Sequence, residues 1–172
     1  QRVNTTRFFY PATGMPYKNH DTLFKAVRKL EKEGLVFSVD CTLTKNDTDR
    51  LGLKVPKSVN LLGIIPRVKV LQKYQDSIMV FPSLLETFGL PLLEASLSNG
   101  YILAGKTSFG TEILGDYSNM AFFNPESVDS IAEKMQSCIV NGVTIDSKAY
   151  IKVLERKNNE DSLVDLIVGN AK

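Results

Sequence analysis

Blocks of apolar and polar positions along this chain switch period repeatedly, and the switches predict an alternation of strands and helices. Short apolar runs at 7–11, 36–42, 59–62, 77–81, 101–104 and 121–123 read as strands. The run S-I-M-V-F at 77–81 has no polar partner face inside it, as expected of a strand covered on both sides in a parallel sheet. Between the strands the period lengthens to that of a helix. A helix capped by Asp21 carries Leu23, Ala26, Val27 and Leu30 on one stripe and stops at Gly34. Others are predicted over 68–74, after Pro91 and over 128–140, and two more helical stretches, 147–156 and 161–168, lie in a tail spanning 145–172. The polar residues 45–57 read as the longest flexible segment. This order predicts an α/β fold: a Rossmann-like parallel sheet with helices on both faces. At 172 residues the chain suits one domain, 1–172.

In such a sheet ligands bind beyond the carboxyl ends of the strands. The loops there are 11–19, 63–66, 86–89 and 105–110, and the third is the richest. Residues 82–95 read P-S-L-L-E-T-F-G-L-P-L-L-E-A, with Glu86 and Glu94 on either side of a Phe88-Gly89-Leu90 turn that enters a helix through Pro91. Pro suits a first helical turn, where its missing N–H is no loss. The free N–H groups of that turn form an anion site. Carboxylates, which only accept hydrogen bonds, beside an anion site fit a polyol phosphate: amides for the phosphate, carboxylates for the hydroxyls. A glycosidase acid and base pair is the rival reading, and it needs carboxyl groups about 5–9.5 Å apart.

Composition narrows the classes. Apolar residues make up 43% and charged residues 23%, the balance of a globular domain. A net charge of +2 is too small to imply nucleic acid, and Lys25, Arg28, Lys29 and Lys32 fall on the solvated face of the first helix. No apolar stretch reaches the roughly 18 residues of a membrane span, and Gln1 onward shows no signal-peptide pattern. Cys41 and Cys138 lack metal or redox spacing and read as buried free thiols, which points to a cytoplasmic location. His20, the sole histidine, reads as a local helix cap. The acids of N-D-T-D-R at 46–50 fall in a polar loop and do not read as an Asp-x-Asp metal motif, so no metal or other cofactor is expected, and Gly105-Lys106-Thr107 lacks the glycine-rich loop of an NTPase.

The stretch E-T-F-G-L-P-L-L-E-A resembles the Glu, seven residues, Glu signature of retaining glycosyltransferases of family 4. The resemblance extends to F-F-Y-P-A-T-G-M-P-Y-K-N, N-L-L-G-I-I-P, Y-I-L-A-G, T-E-I-L-G-D-Y and F-F-N-P-E-S-V-D-S-I-A-E, in order and over almost the whole chain. It implies the C-terminal, donor-binding domain of a GT-B enzyme, two Rossmann-like domains facing a cleft. The acceptor-binding N-terminal domain would then be the missing partner, and the only route to peripheral membrane association. By resemblance, Lys18 meets the donor diphosphate and Glu94 binds ribose hydroxyls. Glu86 acts beside the donor sugar and the bond that breaks, and Thr87, Phe88, Gly89 and Leu90 line the donor site. Phe88 also has a purely structural reading, as a core residue. The family commonly has an Arg five residues before the lysine, where this chain has Thr13. Arg67 and Lys106 are the candidates for that second charge. The implied activity is metal-independent, retaining transfer from a nucleotide-diphosphate sugar to an acceptor such as a surface-polysaccharide precursor. Two alternatives stay open, a non-catalytic Rossmann-like partner module and a GT-B nucleotide-sugar epimerase. Apolar Leu163, Leu166 and Ile167 in the tail would either reach towards the N-terminal domain or pack on the chain's own sheet.

Overall fold

A computed structural model describes residues 3–158 of the chain. Six strands, β1 (Asn4–Tyr10), β2 (Ser38–Cys41), β3 (Val59–Leu61), β4 (Ser77–Phe81), β5 (Ile102–Gly105) and β6 (Met120–Phe123), form one sheet in the order β3-β2-β1-β4-β5-β6. Every neighbouring pair is parallel. The fold is therefore the Rossmann-like α/β arrangement expected from the sequence. β1 and β4 lie side by side at the centre, and Phe8, Phe9, Tyr10 and all of β4 are buried.

Among the described residues seven α-helices accompany the strands: α1 (His20–Lys32), α2 (Lys45–Arg50), α3 (Arg67–Asp76), α4 (Leu90–Leu97), α5 (Ser108–Leu114), α6 (Val128–Asn141) and α7 (Ala149–Asn158). α1 packs against α6 over one face of the sheet, while α4 packs against α3, α5 and α7 over the other. The stripe predicted for α1 is buried, with Phe24 added to it, and the helix is followed by Gly34 at φ 79°. Ala149 and Val153 bury the inner face of α7. The stretch predicted at 161–168, with Leu163, Leu166 and Ile167, lies outside the described residues.

Four expectations change. Residues 45–57 are not one flexible loop, because Thr44 and Asp47 make a reciprocal capping box that holds α2. Asp21 does not cap α1. Asn19, in the left-handed conformation at φ 60°, occupies that position, and Asp21 sits in the first turn on Lys25 at 2.6 Å. The loop predicted at 105–110 is half helix, since the Thr107 side chain accepts from the Gly110 N–H and starts α5. His20 caps nothing. It is buried between Tyr10 and Phe24, and neither ring nitrogen has a hydrogen-bond partner. Burial, followed by the nearby Lys18 charge, lowers its pKa to about 4.

Candidate functional site

Strand order reverses between β1 and β4, and the loops that leave their carboxyl ends meet there. Four hydrogen bonds hold the meeting point. The Leu84 N–H donates to the Tyr17 carbonyl at 2.9 Å, joining the two loops backbone to backbone. The buried Asn19 amide donates to the Pro82 and Pro125 carbonyls at 3.1 and 2.7 Å, so one side chain ties the loops after β1, β4 and β6. The Tyr10 hydroxyl donates to the Lys18 carbonyl at 2.7 Å. From below, α2 braces the first loop. A Cβ on Gly14 would lie 2.6 Å from the Asp47 side chain, and the Arg50 guanidinium donates to the Gly14 carbonyl.

This frame brings Lys18 onto Glu86. Their Nζ and Oε1 atoms are 2.5 Å apart, and the two side chains are only 12% and 9% exposed. Lys18 is therefore no solvated loop lysine, and Glu86 no carboxylate in open water. Burying such a pair is costly unless the partners hold each other closely. A turn further on, Glu94 sits in the second turn of α4 and pairs with Arg67, the first residue of α3, at 2.9 Å. Arg67, considered from sequence as a phosphate cation, thus lies on the second glutamate. Lys106 follows β5 directly and is exposed.

Between the two glutamates the chain makes its turn. Gly89 caps α4 at φ 57°, and a Cβ there would meet the Ile113 side chain at 2.1 Å, so glycine suits the position twice over. The Gly89 carbonyl takes the N–H groups of Leu92 and Leu93. Those of Phe88, Gly89 and Leu90 have no partner among the described residues. They remain as donors at a helix N-terminus. Phe88 is not core: it is 64% exposed, with Leu85 and Leu90 beside it also exposed.

A hollow of about 270 Å³ is walled by Pro11, Ala12, Thr42, Ile64 and Ile65, beyond the ends of β1, β2 and β3, and by Val70 of α3. Both cysteines are buried, and burial raises both thiol pKa values, that of Cys138 to about 11, so neither supplies a thiolate. Among the described residues there is no cluster of metal-ligating side chains, and no helix long and apolar enough to cross a membrane.

The family model for glycosyl transferases group 1 matches residues 2–156. The chain belongs to that family. Its fold is shared by solved structures. A glycosyltransferase from Rickettsia africae aligns with a TM-score of 0.73 at 20% identity, over 98% of this chain and 49% of that one. The C-terminal domain of a group 1 glycosyl transferase, LpcC, from Francisella tularensis aligns at 0.62 and 23% identity, over 92% and 85%. HepE from Anabaena, solved in complex with UDP and glucose, aligns at 0.67 and 18% identity, over 88% and 44%. The chain thus spans less than half of the Rickettsia and Anabaena proteins and most of the excised LpcC domain. No curated protein matches it.

Asn19 and Arg50 escaped the sequence reading. Asn19 contacts carbonyls 63 and 106 positions away, and Arg50 a carbonyl 36 away, so nothing local marks either residue.

Proposed function

We propose that this chain is the donor-binding half of a retaining glycosyltransferase, taking a nucleotide-diphosphate sugar at the carboxyl edge of its sheet. The observation that carries this reading is the buried Lys18–Glu86 pair at the reversal of strand order. A cation and an acceptor held together there match the two needs of a sugar diphosphate, charge for the phosphates and acceptors for the hydroxyls.

On donor binding the pairs exchange partners. Lys18 turns to the diphosphate and stabilises the charge that grows on it as the glycosidic bond breaks. Glu86, released, accepts from sugar hydroxyls and faces the positive charge developing at the anomeric carbon. The N–H groups of Phe88, Gly89 and Leu90 complete the anion site, and Thr87 lies in the same turn. Arg67 moves from Glu94 towards the phosphates, standing in for the arginine that Thr13 replaces, and Glu94 accepts from the ribose. The apolar hollow at Ile64 and Ile65 seats the base. No step in this scheme calls on a metal or other cofactor. An N-terminal domain of the full-length enzyme holds the acceptor, a cytoplasmic polysaccharide precursor in the simplest case. Alone, this chain binds donor weakly and turns over little, because half the contacts and the exclusion of water are missing.

The test is titration calorimetry of the chain with UDP, GDP and ADP, together with Glu86→Gln and Glu94→Gln in the full-length enzyme. Binding of one nucleotide, and loss of transfer in both variants, is expected. Thr13 favours a second reading, a partner module that keeps the fold without the chemistry. Unchanged transfer in both variants would establish it in place of the first.

A further inference from the structure

Arg67 and Tyr74 stand seven residues apart on α3, two turns along one face. Both bear on the same carboxylate, Glu94. Arg67 holds Glu94 from the exposed side at 2.9 Å. Tyr74 approaches from the core, its residue 1% exposed and its ring 5.8 Å from that of Phe9. Its hydroxyl is buried and makes no well-formed hydrogen bond. After burial itself, the groups acting on that hydroxyl are the Glu94 carboxylate, which raises its pKa, and the Arg67 guanidinium, which lowers it. The phenol therefore lies beside the Arg67–Glu94 pair and stays protonated, a permanent donor.

A buried hydroxyl without an acceptor is destabilising, and phenylalanine would fill the same space without that cost. A carboxylate has two oxygens, and the 2.9 Å contact of Arg67 is to Oε1. We propose that Tyr74 is a positioning residue, whose hydroxyl holds one oxygen of Glu94 once Arg67 leaves it, so that the other oxygen faces the ribose hydroxyls of the donor. The inference rests on the donor-binding reading above. It adds a reason for the α3–α4 contact: the helix that carries the cation also carries the group that replaces it.

Discrimination between ribose and deoxyribose tests it, because a role in packing alone weakens both ligands alike. Dissociation constants are measured for UDP, GDP and ADP and their 2′-deoxy forms, on the parent, Tyr74→Phe and Glu94→Gln. The parent is expected to prefer the ribonucleotide at least about tenfold, as sites built to bond a hydroxyl do. Glu94→Gln abolishes that preference, and Tyr74→Phe cuts it to about threefold or less. A preference unchanged in Tyr74→Phe, with Glu94→Gln losing it, overturns the role of Tyr74 and leaves the donor site standing. A parent that binds no nucleotide, or binds both forms alike, overturns the donor site itself and the inference with it. Should Tyr74→Phe fold poorly, 3-fluorotyrosine placed at position 74 keeps the shape and strengthens the donor. The preference should then rise, and an unchanged value counts against the proposal.

Discussion

The amino edge of the sheet has a hollow of about 410 Å³ between Gln75, Ser98, Asn99, Ser147 and Tyr150, larger than the 270 Å³ hollow at the carboxyl edge. Polar groups at the amino edge are spent on one another. The buried Asn119 side chain donates to the Asp146 carbonyl and accepts from the Asp146 N–H, at 2.9 and 2.7 Å, while Asn99 donates to the same carbonyl and accepts from the Tyr150 N–H. At the carboxyl edge one pair, Lys18–Glu86, joins two loops, another, Arg67–Glu94, joins α3 to α4, and three amides have no partner among the described residues. Volume therefore does not locate the chemistry. The difference is between polar groups that complete the fold and polar groups that another molecule can still claim.

Substitutions at the two edges should separate accordingly. The largest effect is expected from Glu86→Gln in the full-length enzyme, a fall in kcat of about 100-fold or more, the scale seen when a group stabilising developing charge is lost. Steady-state kinetics check it, and a change of less than about threefold would place the carboxyl edge with the amino edge. Lys18→Met leaves Glu86 buried without its cation. It should lower stability by on the order of 3 kcal/mol and weaken nucleotide binding at least about tenfold. Denaturant unfolding and calorimetry read the two effects separately.

Asn119→Ala tests the opposite edge. Loss of its hydrogen bonds should cost about 2 kcal/mol of stability, with the nucleotide Kd of the folded protein unchanged within about twofold. A matching loss of affinity would show that the two edges are coupled. His20 lies under the carboxyl-edge loop, and its effect depends on pH. Its pKa is about 4 in the folded chain against 6.5 ordinarily, so between those values the unfolded chain binds the extra proton and stability falls as the pH falls. From pH 7 to pH 5 the loss is about 2 kcal/mol, and His20→Leu should remove it when urea unfolding is compared at the two values. The smallest effect is expected of Ser98→Ala at the amino-edge hollow, within about 0.5 kcal/mol in stability and none in binding.

The sequence made the sheet legible because its central strand β4 carries no polar residue after Ser77, and the glutamate turn legible because glycine, proline and two acids fall within nine positions. α2 was missed for a physical reason. Six polar residues show no apolar stripe, and only the Thr44 to Asp47 spacing marks the cap that holds them. α5 is seven residues long with Gly110 inside it, too short and too interrupted for periodicity to register. The ion pairs were out of reach altogether, since Lys18 and Glu86 are 68 positions apart and no local pattern joins them. His20 misled because a histidine at a helix start usually meets water, whereas here Tyr10 and Phe24 close over it.

The Leu84 to Tyr17 bond runs from main chain to main chain, so it is indifferent to which side chains stand at either position. Substrate preference could therefore drift by replacing residues along both loops while the weld between them survives. Altering the length of one loop is a different matter, because it would carry the second out of register. Anyone grafting a new specificity onto this scaffold should transplant both loops, with Asn19, as a single cassette.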